Sequence, residues 1–337
     1  MEPLDLAAFD AVADEYDRAV ARSRDLDHFC SSSAWILPAH EALMPPREPW
    51  LRRGEHGWVA LARAAEGNVR YLQPLEAMWG LASPLVGAGD GGGPGPGDVV
   101  EVCGLAAEFA AACFADAGWN LLLLSGVLAG APLFQALLER FGRRCRLGLG
   151  PVTSRYVASL DGGLDGFLSR RSANFRHAVG KAVRRAAGLG VTVEPLEIRE
   201  PGAALAAYER LLQIERCSWK GQEGVGIDQG AMHEFYRLML PRLARRGALR
   251  LMFARHEERD VGYILGGALG RTYRGLQFSF DDSYARHSLG NVMQYHQIAA
   301  LCEEGVMHYD LGAEVEYKRR WAEPGLETVT LVVARGR

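Results

Sequence analysis

Three consecutive runs in the C-terminal third, "LRLMFARH", "DVGYILGGAL" and "TYRGLQFSF", alternate apolar and polar positions and are separated only by "EER" and "GR". A period of two marks strands, and turns this short join antiparallel neighbours, so the runs predict a meander. "NVMQYHQIAALCEE" then places Val292, Tyr295, Ile298, Leu301 and Cys302 at helical spacing and stops at Gly305, before two further strands, "VMHYDL" and "ETVTLVVA". Strands, one crossing helix and more strands make a mixed sheet.

Upstream, "VVEVCGLAAEFAAACFADAG" predicts a helix ending at Gly118, "NLLLLSG" a buried strand, and "APLFQALLERFG" a helix stopping at Gly142. Residues 152–160 alternate as a strand, and a helix-forming run covers about 163–187. Helices follow near 203–217 and 229–246, the second with Asp228 as N-cap and Gly247 as stop. Residues 87–98 are glycine or proline at most positions and read as a surface loop inside the first domain. A chain of 337 residues exceeds one ordinary core. The α/β rhythm divides near residue 150, giving domains at 1–150 and 151–337.

Composition narrows the class without naming it. The chain is 48% apolar and 23% charged, the balance of a globular protein. A net charge of -3 and a pI near 6.3 exclude a strong overall attraction to nucleic acid or anionic membranes. Six cysteines lie far apart with no CxxC pair, which predicts reduced, mostly buried thiols. The start is acidic and lacks a secretory pattern. The most apolar window, "WNLLLLSGVLAGAPLF", is broken by Ser125, Gly126, Gly130 and Pro132. A cytoplasmic protein without membrane insertion is expected.

The richest chemistry lies at 278–321. Between "FSFDDSYARH" and "SLGNVMQY" a strand ends and a helix begins, and the free amides and dipole of a helix start attract phosphate or carboxylate. Gly290 has no Cβ to hold a ligand off the backbone, and Arg286 and His287 add charge. The plainer alternative is that Ser288 caps the helix and Gly290 eases a turn. The next strand ends in "YDLGAEVEYKRRW", bringing Asp310, Glu314, Glu316, Tyr317 and Lys318 towards the same place. A carboxylate there could take a proton from an attacking amine while a lysine steadies an oxyanion; surface ion pairs would use the same residues.

Two further clusters bear on ligands. "RRSANFRHAVGKAVRR" carries Arg170, Arg171, Arg176, Lys181, Arg184 and Arg185, a density that attracts phosphates or forms a solvated face. The spacing puts Arg176 nearer the apolar side than Arg184, which makes it the better directed contact. In "ERCSWKGQEGVGI", Glu215, Trp219 and Lys220 precede a glycine loop, suiting a lid over a substrate or a helix end anchored by a buried indole. The histidines His177, His233, His287, His296 and His308 lack metal-ligand spacing, so no metal is expected. Ser288 has no glycine-flanked elbow of the hydrolase kind.

Together, "FLSRRSANFRHAVGKAVRRAAGLG", "ERCSWKGQEGVGI", "FSFDDSYARHSLGNVM" and "EEGVMHYDLGAEVEYKRRW" resemble the GNAT-type acyltransferases of the CelD/BcsL-like kind, relatives of the Fem-type aminoacyl transferases. "FCSSSAWILP", "LQPLEAMWGLASPLV" and "NLLLLSGV" look like that family's degenerate N-terminal domain. The resemblance implies an α/β (α+β) fold of tandem GNAT-like domains, each a mixed, mainly antiparallel sheet flanked by helices. Catalysis would fall in the second domain, with the acceptor in a cleft between the two. It implies acetyl-CoA or another acyl-CoA as co-substrate, its pyrophosphate held at Arg286, His287, Ser288, Leu289, Gly290 and Asn291. Of the GNAT pattern Gln/Arg-x-x-Gly-x-Gly/Ala, the run "ARHSLG" keeps only Gly290. Lys318 looks like the counterpart of a lysine implicated in Fem-type catalysis. Asp281, Asp310 and Glu316 follow as acid or base candidates, beside Tyr317. Arg176, Glu215, Trp219, Lys220, Tyr284 and Glu314 make up the expected substrate-binding set.

Three functions remain open to the sequence. The first is N-acyl transfer from acyl-CoA to an amine, or a hydroxyl, of a sugar, peptide or small metabolite. The second is aminoacyl transfer from charged tRNA, opposed by the acidic whole and favoured by the basic helix. The third is a binding protein that keeps the fold without catalysis.

Overall fold

The computed structural model describes residues 1–43, 47–88, 96–313 and 315–336, and for residues 96–99 the backbone alone. The chain divides into two compact units, Met1–Thr153 with Glu327–Arg337, and Ser154–Leu326. The expected division near residue 150 assigned the last strand to the second domain; residues 327–337 cluster with the first unit instead.

The first unit opens with β1 (Glu2–Leu4), α1 (Leu6–Ala11), α2 (Ala13–Arg22) and α3 (Ser33–Ala42). It continues through β2 (Glu48–Arg53), β3 (Gly57–Glu66), β4 (Val69–Pro74), β5 (Leu85–Gly87), α4 (Pro96–Ala115), β6 (Leu121–Val127) and α5 (Pro132–Gly142). Strand β7 (Cys145–Ser159) crosses the boundary between units. The sheet runs β1-β2-β3-β4-β6 and then the last strand of the chain, with β5 paired to β3. Phe109, Leu122, Leu124, Leu137 and Phe141 are buried together beneath it. In β6 Leu122 and Leu124 are buried and Leu121 and Leu123 partly so, an alternation that turns one face of the strand to the core, and Pro132 starts α5 where a missing N–H costs nothing. Of the glycine-rich stretch expected as a loop, residues 89–95 lie outside the described residues.

The second unit contains α6 (Gly163–Ser169), α7 (Ala173–Gly188), β8 (Thr192–Leu196), α8 (Pro201–Cys217), α9 (Trp219–Gln222) and α10 (Gly230–Arg245). The meander is β9 (Leu249–His256), β10 (Arg259–Leu269) and β11 (Thr272–Phe280), antiparallel as the short turns require. A 3₁₀ turn (Asp282–His287) leads into α11 (Leu289–Glu303), then β12 (His308–Ala313), a second 3₁₀ turn (Glu316–Arg320) and β13 (Glu323–Arg335). The sheet order is β7-β12-β11-β10-β9-β8. A parallel neighbour needs a crossover, and α11 supplies it between β11 and β12.

The parallel pairing lasts only from Thr272 opposite His308 to Arg274 opposite Asp310. Because β11 continues to Phe280 and β12 to Ala313, the two strands part towards their C-terminal ends. Two apolar clusters, each with residues of α7 and α11, fix this frame. Trp321 packs against Phe175 and Phe167 with ring centroids 4.8 and 6.4 Å apart, while Met252, Ile264, Val292 and Met293 fill the core under α11.

Several local expectations change. The helix-forming run 163–187 breaks into α6 and α7, because Ser172 takes an extended backbone and its hydroxyl accepts from Phe175 N at 3.2 Å. Gln229, not Asp228, holds the cap position of α10, and Asp228 lies 3.8 Å from Arg216. The six thiols are free as expected, but only Cys30 and Cys113 are buried and Cys217 is exposed.

Candidate active site

Where β11 and β12 part, the second unit contains a pocket of about 190 Å³. Ile264, Leu265, Leu276, Phe278 and Leu311 give it apolar walls, and Gln294 and Tyr309 also line it. Trp219, Lys220, Tyr317 and Lys318 complete the rim, so four of the residues singled out in the sequence meet in one place.

The two lysines differ in setting. Lys220, in α9, donates to Gln277 Oε1 at 3.0 Å and to the Phe278 carbonyl at 2.8 Å. Burial lowers its pKa, against the pull of nearby Glu215. Lys318, in the second 3₁₀ turn, donates to the Ala313 carbonyl at 2.9 Å. Burial first and the Arg274 charge second push its pKa down to about 8, with Asp310 opposing. Tyr317 is half exposed, its ring edge-on to Phe278 at 6.3 Å, and burial raises its pKa. Trp219 is 47% exposed, so the anchored-indole alternative is not what the chain adopts. Ser218, whose hydroxyl accepts from Gly221 N at 3.4 Å, turns α8 into α9 and leaves the indole outside.

Three of the carboxylates, Asp310, Asp281 and Glu215, are committed elsewhere. Asp310 is buried between Arg155 at 3.0 Å and Arg274 at 2.8 Å and accepts from Gly312 N at 2.7 Å. These contacts tie β12 to β7 and β11, so the carboxylate expected as an acid or base is engaged in the packing of the sheet. Asp281 accepts from Ser283 N and Oγ at 2.9 and 2.5 Å, which makes it the cap of the first 3₁₀ turn. Glu215, expected at the substrate, is fully buried and bonded to the Tyr263 hydroxyl at 2.8 Å and Ile227 N at 3.3 Å; it ties down the glycine loop. Glu316 is exposed at the start of its turn. Glu314 lies outside the described residues.

The helix start has the backbone expected of a turn under constraint. Ser288 adopts φ +57°, a left-handed conformation unusual without glycine, and its side chain makes no cap bond. The first amides of α11, at Leu289 and Gly290, have no carbonyl one turn back within the helix. Gly290 has a packing reason of its own: a Cβ there would lie 3.0 Å from the Phe278 ring. Arg286 is exposed, and its carbonyl accepts from Arg185 at 3.1 Å. His287 and Asn291 are partly buried. Tyr284 bonds His256 at 2.6 Å and faces His287, so it belongs to the outer side of the turn rather than to the pocket. Arg176 is exposed and donates to the Arg171 carbonyl at 2.5 Å; Arg171 is the buried arginine, paired with Glu323 at 2.8 Å. The exposed Lys181, Arg184 and Arg185 leave α7 with a basic face, and α7 packs against the first 3₁₀ turn.

Sequence reasoning passed over Gln294 and Tyr309. Their signal was present: Gln294 shares a helix face with Ile298 and Leu301, a polar residue interrupting an apolar stripe. Among the described residues, Glu55, His56 and Glu108 of the first unit are the group close enough to share a metal ion, and His56 Nδ1 is hydrogen-bonded to Glu108 at 2.9 Å.

Residues 173–319, from α7 to the second 3₁₀ turn, match the Acetyltransferase (GNAT) domain family. The second unit therefore carries a GNAT-type domain. No curated protein matches the chain. Among solved structures the fold is similar to FemX, at 13% identity and a TM-score of 0.64 over 98% of this chain and 97% of that one. It is also similar to a conserved protein of unknown function from Bacteroides thetaiotaomicron, at 11% identity and 0.57 over 99% of both chains. L-PGS from Bacillus licheniformis aligns at 12% identity and 0.51 over 86% of this chain and 84% of that one. At these identities the likeness concerns the fold.

Proposed function

We propose that the protein is an acyltransferase that moves an acyl group, acetyl in the simplest case, from acyl-CoA to an amine of a sugar, peptide or small metabolite. One observation carries this reading: the pocket opens where β11 and β12 part, with Lys318 on its wall, in the domain that matches the GNAT family. In this reading the thioester enters between the strands, and its phosphates meet the amides of Leu289 and Gly290 and the basic face of α7. The reaction forms a C–N bond and releases a thiol. Aligning the two reactants alone supplies about 7 kcal/mol of the barrier reduction in favourable cases, so a dedicated general base is not required. Lys318 is the cation nearest the developing oxyanion, and Trp219 and Tyr317 frame the acceptor side. The described helices include none long and apolar enough to cross a membrane.

The basic face of α7 and the FemX-like fold favour one alternative, an aminoacyl donor carried on tRNA. Thermal shift and calorimetry with acetyl-CoA, CoA and charged tRNA separate the two. Stabilisation by acetyl-CoA, with turnover lost in Lys318→Ala at an unchanged melting temperature, supports acyl-CoA. Salt-sensitive binding of tRNA without a response to CoA species supports the alternative, and silence towards both overturns the enzyme reading.

A further inference from the structure

We propose that the Gln294 carboxamide, oriented by Tyr309, is the hydrogen-bond donor that holds the carbonyl oxygen of the transferred acyl group. This rests on the acyl-transfer reading above and gives a role there to a residue that the sequence analysis did not single out.

Gln294 lies on α11, is 3% exposed and lines the pocket beside Tyr309. The Tyr309 hydroxyl donates to Gln294 Oε1 at 2.5 Å. That bond decides which end of the amide faces the pocket. A buried phenol must give its proton to an acceptor, and the reversed amide would offer it only N–H groups. Nε2 and its two hydrogens therefore point away from Tyr309, and among the described residues they have no partner. Tyr309 is itself held in place. Its ring covers Gly275, where a Cβ would lie 2.8 Å from Cε2, and it packs edge-on against Tyr273 at 4.8 Å. A donor fixed before reaction stabilises developing charge without reorganising.

The surroundings suit a carbonyl flanked by an apolar chain rather than an anion at this depth. Ile264, Leu265, Leu276 and Leu311 receive the acyl tail, while the cations Lys220 and Lys318 also line the pocket. The step balances as follows. The amine lone pair attacks the carbonyl carbon and a C–N bond forms. The C=O π pair moves onto oxygen, where the Gln294 N–H meets it. Collapse breaks the C–S bond, and the departing thiolate receives the proton lost by the new ammonium. The products are an amide and a free thiol. Gln294 is the catalytic residue of this proposal, and Tyr309 is a positioning residue.

The test compares two thioether analogues of acetyl-CoA, S-acetonyl-CoA with a carbonyl and S-propyl-CoA without one, together with CoA itself. The wild type is expected to prefer the carbonyl analogue about fivefold, the value of one neutral hydrogen bond. Gln294→Leu and Gln294→Glu are expected to lose that preference and Tyr309→Phe to weaken it, while all bind CoA alike. A wild type that binds CoA but shows no carbonyl preference overturns the role of Gln294 and leaves acyl transfer standing; a preference that survives in Gln294→Glu does the same. If no CoA species binds, acyl transfer from CoA falls and this proposal with it. Should Gln294→Leu fail to fold, the wild-type comparison and Gln294→Glu still decide.

Discussion

Replacing Asp310 by alanine tests whether this carboxylate belongs to the fold or to the proposed chemistry. Asp310 is 5% exposed, and its two oxygens face Arg155 and Arg274 at 3.0 and 2.8 Å. Removing one partner of a buried ion pair costs about 3–5 kcal/mol, because the remaining charge keeps its desolvation penalty. The lost Gly312 N–H bond adds about 1 kcal/mol, and Gly312 sits at φ +85° in the turn that this bond closes. A loss of about 4–6 kcal/mol is a large part of a typical stability of about 5–15 kcal/mol. At about 2–4 °C per kcal/mol for a domain of this size, the melting temperature should fall by roughly 8–24 °C. Scanning calorimetry and near-ultraviolet circular dichroism read this directly, and Asp310→Asn should fall between wild type and alanine. A variant melting within about 2 °C of wild type but lacking turnover would refute the structural role and return Asp310 to the active site.

Three shorter predictions address the pocket and its helix. Lys318 has a folded pKa of about 8 against an ordinary 10.5, so between those values the unfolded chain binds more protons and stability rises with pH. Lys318→Met should flatten that rise in pH-dependent denaturant titrations, and if the cation acts on the oxyanion, wild-type turnover should fall as pH climbs through about 8. An unchanged stability profile in Lys318→Met refutes the shifted lysine. Gln297 is 0% exposed and both its amide atoms lack a partner among the described residues, so Gln297→Met should stabilise by about 1–2 kcal/mol in urea unfolding; a loss of that size would contradict it. Trp219→Ala removes a half-exposed indole from the rim, so melting should hold within about 1 °C while ligand affinity drops severalfold; a large drop in stability would make the indole structural.

The meander was legible because turns of two or three residues admit only antiparallel neighbours, and the register of β9, β10 and β11 follows from that constraint alone. Helix α11 was legible from its spacing, although its amide-bearing face was read as routine. Long-range pairing was not legible: nothing local to "SRYVAS" says that its arginine will meet an aspartate 155 positions later, yet Arg155 and Asp310 do so. Acidic residues near the second 3₁₀ turn and the start of α11 therefore looked like proton acceptors when two of them were already engaged, Asp310 with arginines and Asp281 in a cap. The same blindness hid Gln294, whose meaning depends on a phenol fifteen residues on, across the crossover from α11 to β12. Basic residues fared differently. A lysine ammonium has three donors, so Lys318 keeps two after its bond to the Ala313 carbonyl and Lys220 keeps one after its two bonds, and each anchors its segment and still presents charge to a ligand. Lys220 and Lys318 accordingly line the pocket, while Asp310, Asp281 and Glu215 support the elements that form it.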